Sequence, residues 1–373
     1  MDLFYLKGIL KLKKNGLSFD IVIVGSGLTG LFLSCICVKK GLRVAVIEKN
    51  DLSRYRPGEV LSPEVKRYFQ VIGFTPSIYT TSECSGVSTI VDNKEINTKE
   101  YSSNPYGNAT TINHSSLLEE LVKYAKGLSV TFYQNSKIFN KHRSEGVWLI
   151  DLTDGHRVMT KIKTNFIVFA TGKNSSNGGR RGSVLRYDRS VARVFVIDSQ
   201  DLKINDRVLF IESFFDGWIY LKKVPGEKVV FSVISDSDLM QKTPQSVFGA
   251  YLEKSSLFNK ISFSLNEFFA LKSYGFDART MIRTECFGDG WLSLGDNFYS
   301  IDPLSGMGIL KNLEMASGFV DKFLNWIECS DQVGREFVFR EFRRFMNFKN
   351  EGEMAYRDLA PAKTGEFWHR RLH

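Results

Sequence analysis

Residues 21–30 read Ile-Val-Ile-Val-Gly25-Ser26-Gly27-Leu28-Thr29-Gly30, an apolar β-branched run that passes directly into G-x-G-x-x-G. A second apolar run, Arg43-Val-Ala-Val-Ile, ends on Glu48 and Lys49. The pattern predicts strand, tight turn, helix and parallel strand, with a dinucleotide across the turn. Gly25 takes the chain out of the strand, Gly27 lets backbone approach a pyrophosphate, and Gly30 lets the helix pack closely on the sheet. The unpaired N–H groups and positive dipole end of that helix favour the phosphate charge. Glu48 is then placed to accept hydrogen bonds from ribose hydroxyls.

A chain of 373 residues with 43% hydrophobic content has enough apolar surface for a large core and two intertwined domains. Thirty Phe and 14 Tyr point first to core packing. The net charge of +9 is spread along the chain, so the basic residues read as solvated surface and no nucleic-acid partner is expected. Five cysteines with no C-x-x-C and no Cys/His metal spacing predict a reduced, cytoplasmic protein without a metal site. The opening Met1–Lys11 carries an acid and lysines, unlike a secretory signal. No run reaches the ~18 apolar residues of a membrane span, so no membrane association is expected.

Beyond the first βαβ unit, Pro57-Gly58-Glu59-Val-Leu61-Ser-Pro63 reads as a loop leading to a helix that ends near Gly73. A Ser/Thr/Asn-rich segment follows to Thr111, then a helical pattern over Asn113–Gly127 and a strand over Ser129–Tyr133. Trp148–Leu152 and Ile167–Ala170 read as strands around an Asp154-Gly155 hairpin turn. Val191–Phe231 alternates like an antiparallel sheet, with turns at Asp216-Gly217 and Pro225-Gly226. Trp291–Gly295 is a short buried strand, and a helix opens after Gly306-Met307-Gly308-Ile309.

Taken in order, GSGLTG, IEK, RYRPGE, FATG, DGWIY and GDNFYSIDPLSGMGI resemble the FAD-dependent monooxygenases of the para-hydroxybenzoate hydroxylase fold, over nearly the full chain. Pro57–Pro63 and Phe367-Trp-His-Arg-Arg371 are most similar to the tryptophan-halogenase-like branch. Within it stand flavoproteins that modify a partner's tryptophan during cysteine tryptophylquinone biogenesis, and the short chain favours that subgroup. The resemblance implies an α/β fold in which a Rossmann-like FAD-binding domain (18–75, 112–180 and 276–330) is interleaved with an antiparallel-sheet substrate domain (76–111 and 181–275). A C-terminal helical segment (331–373) completes it.

The FAD would be held by Gly25, Ser26, Gly27, Leu28, Thr29, Gly30, Glu48, Lys49 and Gly172 at one end. Gly295, Asp296, Gly306, Met307, Gly308 and Ile309 would hold it at the other. Asp296, following a buried strand, suits a ribityl hydroxyl, and the amides after Gly306 suit the pyrimidine edge of the ring. The resemblance places Arg54 or Arg56 near the phosphates or ribityl chain, where a guanidinium fits. Glu59 is either a buried carboxylate at the flavin or a helix N-terminal acid. Trp218, Tyr220 and Pro303 are candidates for lining the flavin or substrate pocket, with core packing as the alternative for Trp218.

The implied activity is hydroxylation of an aromatic ring, foremost a tryptophan of a precursor of a quinone-dependent oxidase. A small aromatic metabolite, or a role as an FAD-bearing assembly factor without turnover, are the alternatives. The halogenase signature Trp-x-Trp-x-Ile-Pro is broken, because Tyr220 replaces the second Trp. Thr81–Ile90 also lacks the halogenase lysine. Thr171-Gly172 stands where hydroxylases carry an Asp-Gly that helps bind nicotinamide, which leaves a separate flavin reductase and NAD(P)H both open as electron source. His114, His142, His156 and His369 form no nucleophile or metal grouping.

Overall fold

The computed structural model describes residues 17–50, 56–154, 157–173, 184–199, 202 and 204–372. The opening Met1–Lys11, Arg54 and Gly155 lie outside the described residues. β1 (Ser18–Val24) passes through the glycine turn into α1 (Leu28–Lys39), and β2 (Val44–Ile47) returns parallel to β1 with Ile21 opposite Val44. Gly25 sits at φ +109, and a Cβ on it would overlap the Ala170 carbonyl. A Cβ on Gly30 would overlap the Gly25 carbonyl oxygen. Gly30 therefore lets α1 close on the turn itself.

Then come β3 (Glu59–Leu61), α2 (Val65–Ile72), β4 (Thr81–Cys84), β5 (Gly86–Val91), β6 (Lys94–Glu100) and β7 (Ala109–Ile112). The polar segment before Thr111, to which the sequence assigns no structure, is thus mostly strand. The Pro57–Pro63 stretch, read as loop, contains β3. Strand β7 pairs with both β3 and β4 in a small sheet. α3 (His114–Gly127) is capped by the Asn113 side chain, which accepts from Ser116 N, and β8 (Thr131–Tyr133) extends the parallel sheet beyond β2.

β9 (Lys137–Ser144) and β10 (Val147–Thr153) form a meander with β11 (Val158–Phe169). One strand of 12 residues replaces the separate buried strand expected at Ile167–Ala170. Its first half pairs antiparallel with β10, and its second half lies parallel to β1 in the core.

After β12 (Val184–Arg186), β13 (Ser190–Asp198), β14 (Val208–Phe214), β15 (Gly217–Val224) and β16 (Lys228–Asp236) build most of a seven-stranded sheet. Strands β5 and β6 complete one edge. Four short helices, α4 (Ser237–Lys242), α5 (Gln245–Glu253), α6 (Ser256–Lys260) and α7 (Leu265–Ala270), precede β17 (Ser273–Asp277) at the other edge. The strand alternation of two sends Val229, Phe231 and Val233 to one face, where they pack with Phe258 and Phe268. Val230, Ser232 and Ile234 point to the opposite face, which lines a large cleft.

The chain then forms β18 (Met281–Arg283), β19 (Phe287–Gly288), β20 (Trp291–Ser293) and β21 (Tyr299–Ser300). β20 joins the parallel sheet beside β11, with Ile167 opposite Trp291. α8 (Gly308–Leu359) runs across the boundary expected at 330/331. It doubles back on itself: Glu314 pairs with Arg344, and Phe319 packs edge-on against Phe337. A straight helix would hold residues 30 apart ~45 Å from each other. α9 (Glu366–Leu372) ends the described chain, with Phe367 and Trp368 fully buried. Among the described residues no helix is long and apolar enough to cross a membrane.

Candidate functional site

A cleft of about 2070 Å³ runs from the C-terminal ends of β1 and β2 to the inner face of the seven-stranded sheet. Gly25, Gly27, Leu28, Thr29, Glu48, Lys49, Arg56 and Gly172 line its first part. Asp296, Pro303, Gly306, Met307, Gly308 and Ile309 line its middle, with Glu59, Trp218 and Tyr220 across from them. Three of the residues expected at the cofactor stand behind the wall instead. Ser26 is bonded to Glu48, Gly30 abuts the Gly25 carbonyl, and Gly295 packs against Thr29.

The turn is held by the acid that follows β2. Glu48 Oε2 accepts from Ser26 N and Ser26 Oγ, both at 2.9 Å, and Oε1 accepts from Asn50 N at 2.9 Å. A carboxylate has about four lone-pair sites, so acceptor capacity remains on the cleft side. Helix α1 starts at Gly27 with no side-chain cap and no acid in its first turn. Its first amides are therefore left for a ligand. A Cβ on Gly27 meets nothing nearer than Arg56 Nη1 at 3.7 Å, so backbone and guanidinium flank one open space.

The second wall is built the same way. Helix α8 opens after Met307 without a side-chain cap, and Gly306 and Gly308 have no atom within 4 Å of a Cβ position. Asp296 Oδ1 accepts from Lys311 Nζ at 3.1 Å and from Asn312 Nδ2 at 3.2 Å. Burial pushes the Asp296 carboxyl up, but Lys311, Lys173 and these hydrogen bonds more than offset that and hold it below its ordinary value. The Lys311 ammonium is itself fully buried and lowered by burial, with Asp296 opposing the drop. Asn312 Oδ1 lines the cleft as a buried acceptor with no partner among the described residues. Neither Lys311 nor Asn312 carries a signal in the sequence, since both lie one turn into an ordinary helical pattern.

Two uncapped helix starts and an orphan acceptor along one cleft suit a long dinucleotide with a polar ring edge. Residues 18–309 match the family described as FAD binding domain. The chain belongs to that FAD-binding family. The protein is an FAD-dependent oxidoreductase, similar to halogenases and monooxygenases of this fold. It is 23% identical over 364 residues to a 1H-pyrrole-2-carbonyl-[peptidyl-carrier protein] brominase of Pseudoalteromonas luteoviolacea (strain 2ta16), covering 92% of this chain and 84% of that one. A flavin-dependent halogenase of Armillaria mellea, armH3, is 23% identical over 188 residues, 48% of this chain. The match spans only 37% of that halogenase's length.

Among solved structures, the peptidyl tryptophan dihydroxylase QhpG, essential for tryptophylquinone cofactor biogenesis, superposes with a TM-score of 0.73 at 18% identity. That match covers 95% of this chain and 78% of QhpG. The flavin-dependent halogenase CmlS gives 0.79 at 16% identity, covering 96% and 68%. At these identities the structures establish the shared fold.

Thr171, expected from the resemblance to replace the Asp of an Asp-Gly pair, lines the cleft, and its Oγ1 accepts from Asn297 Nδ2 at 2.9 Å. Trp218 is buried against Tyr356, Leu359, Phe367 and Trp368, so it serves the core while also lining the cleft. Burial drives the Tyr220 hydroxyl far above its ordinary value, and the Glu59 charge adds to the rise. Glu59 is no helix cap. It stands on β3, 2.6 Å from His114 Nδ1, a pairing the sequence does not announce.

Asp302, beside Pro303, accepts from Tyr356 Oη at 2.7 Å and from Leu304 N at 2.9 Å. Burial raises its carboxyl from 3.8 to about 6, with Asp188 adding to the rise and the two donors opposing it. The folded protein therefore favours the protonated form. Asp302 contributes stability that is fully present below its unfolded value and is lost as pH rises from about 4 to about 6, by up to roughly 3 kcal/mol. Urea titrations across that window should show the slope flattened in Asp302→Asn. An unchanged slope would mean that Asp302 is not the titrating group.

Proposed function

We propose that the protein is an FAD-dependent monooxygenase that hydroxylates an aromatic ring, namely a tryptophan side chain in the precursor of a quinone-dependent oxidase. The observation that carries this reading is the meeting of an apolar sheet face with the start of α8. Ala192, Val194, Leu209, Ile211, Val230 and Ile234 line the same cleft as Gly306–Ile309. Bound FAD supplies O2 activation. The residues would divide the remaining work. The turn at Gly25–Gly30, with Glu48 and Arg56, would hold the phosphates and ribose, and Asp296 and Asn312 would take the ribityl chain. The uncapped α8 amides would favour negative charge at the pyrimidine edge by about 0.3–1 kcal/mol. The apolar face would orient the substrate ring and exclude water.

Likeness over most of the chain to a peptidyl tryptophan dihydroxylase and to a brominase whose substrate rides on a carrier protein supports a protein-bound ring. The positive net charge would assist docking of an acidic partner. Thr171-Gly172 in place of the Asp-Gly pair supports reduction by a separate flavin reductase over direct use of NAD(P)H.

Halogenation is the second reading, favoured by the halogenase relatives. The absence of lysine from Thr81–Ile90, and Tyr220 in place of the second signature Trp, stand against it. Mass spectrometry of a candidate oxidase precursor, incubated with the FAD-loaded protein, a flavin reductase, NADH and bromide, separates the readings. The expected result is a gain of one or two oxygen atoms on a tryptophan. A bromine instead would replace hydroxylation by halogenation, and binding with no mass change would leave an assembly factor.

A further inference from the structure

The cleft contains one carboxylate–imidazole pair that the cofactor anchors do not use. Antiparallel pairing of β3 with β7 sets Glu59 opposite Ile112, and the Asn113 cap then turns His114 into the first turn of α3 beside Glu59. His114 Nδ1 lies 2.6 Å from Glu59 Oε1. Both side chains line the cleft, Glu59 with 41% of its side chain exposed and His114 with 15%. His114 Nε2 is buried and has no hydrogen-bond partner among the described residues.

The pairing fixes the tautomer. With Nδ1 donating to the carboxylate, the neutral imidazole presents a lone pair at Nε2. A buried acceptor without a donor is a costly arrangement for a protein to keep unless a ligand completes it. The surrounding wall gives the ligand's character. Tyr220 lies close enough for the Glu59 charge to act on its hydroxyl, and beyond it spreads the apolar sheet face of Val194, Leu209 and Val230. A flat apolar body with one acidic hydrogen fits this environment.

We propose that His114, oriented by Glu59, is the acceptor that binds the ring hydroxyl or ring N–H of the aromatic substrate; this rests on the monooxygenase reading above. A ring N–H donates a hydrogen bond to Nε2. With an acidic phenol the proton passes across: the substrate O–H bond breaks, an N–H bond forms on Nε2, and the electron pair stays on the phenolate oxygen. Glu59 balances the imidazolium charge. The ring is thereby made richer in electrons, the state that favours attack by an electrophilic oxygen. Glu59 acts through His114 and is a positioning residue.

The probes are 4-nitrophenol and its methyl ether 4-nitroanisole, titrated into FAD-loaded and FAD-free protein about one pH unit below the phenol's own pKa. The wild type should bind the phenol at least about tenfold more tightly than the ether, because a site built for an O–H rejects the analogue lacking it. The bound phenol should also show its phenolate absorption band. His114→Leu should lose both the preference and the band. Glu59→Gln should weaken the band more than the affinity. FAD uptake should stay within about twofold throughout.

Equal affinity for phenol and ether, no binding of either, or wild-type behaviour in His114→Leu would overturn the proposal. Lost FAD uptake in His114→Leu with the preference intact would overturn it too, by placing His114 against the cofactor. Failure of the wild type to take up FAD would instead remove the monooxygenase reading, and the FAD-free titration would still judge His114.

Discussion

Gly30→Val should cost the protein both stability and its flavin, whereas Gly27→Val should cost only the flavin. At Gly30 the new side chain meets the Gly25 carbonyl oxygen, a backbone atom of the turn that cannot swing aside. Relief requires α1 to move off the sheet, and α1 carries Leu31, Phe32, Leu33 and Ile36 into the largest core cluster. Overpacking of this kind costs about 1–3 kcal/mol or more. At Gly27 a side chain would project into open space bounded only by Arg56, so the free protein loses little. The volume it fills is the one assigned to the pyrophosphate. Scanning calorimetry should show a lowered Tm for Gly30→Val and a near wild-type Tm for Gly27→Val, with flavin absorbance absent from both after desalting. Full flavin occupancy in Gly27→Val would remove the phosphate site from this turn.

Asp236→Ala should produce a comparably large loss for a different reason. Asp236, 1% exposed, accepts from Arg371 Nη2 at 2.7 Å and Arg370 Nη1 at 2.8 Å, which pins α9 to the end of β16. Arg370 keeps Asp238 and Glu366 as partners when Asp236 is removed. Arg371 retains Ser190 Oγ, the Phe367 carbonyl and the Phe367 and Tyr356 rings, but no hydrogen-bonded carboxylate among the described residues. Removing one member of a buried pair costs about 3–5 kcal/mol, mostly through the charge left behind. Loosening α9 also uncovers Phe367 and Trp368, which pack on Tyr356 and Trp218. Chemical denaturation should report the loss, and tryptophan emission should shift to the red. Arg371→Met on top of Asp236→Ala should restore part of the stability, because the orphaned charge is gone. No restoration would mean that the cost lies in packing rather than in the ion pair.

The parts of the site legible in the sequence are those built from neighbours along the chain. Gly25 to Gly30 and Glu48 each state a local geometry through their own residue types. The glycines after Asp302 do the same. What was illegible depends on pairing between distant segments. Glu59 meets His114 across 55 positions because β3 and β7 pair, and β3 itself is three residues long. β5 and β6 enter the large sheet from a stretch whose Ser, Thr and Lys content resembles a loop. Lys311 is fully buried under Asp296, a position that no helical pattern assigns to a lysine. Gly30 is a packing position, as its place in the motif predicts, and its nearest partner is the turn's own carbonyl.

The folded-back helix α8 ties distant sequence changes to the chemistry of the cleft. Its beginning supplies Gly308 to one wall, and its returning arm brings Tyr356 to Asp302 and Leu359 to the same cleft. Each residue of an α-helix advances the azimuth by about 100°. A single insertion or deletion in the returning arm, twenty positions from any ligand, would swing Tyr356 off Asp302 while leaving Gly308 in place. The number of residues in that hairpin is as much a specification of the cleft as the residues that line it.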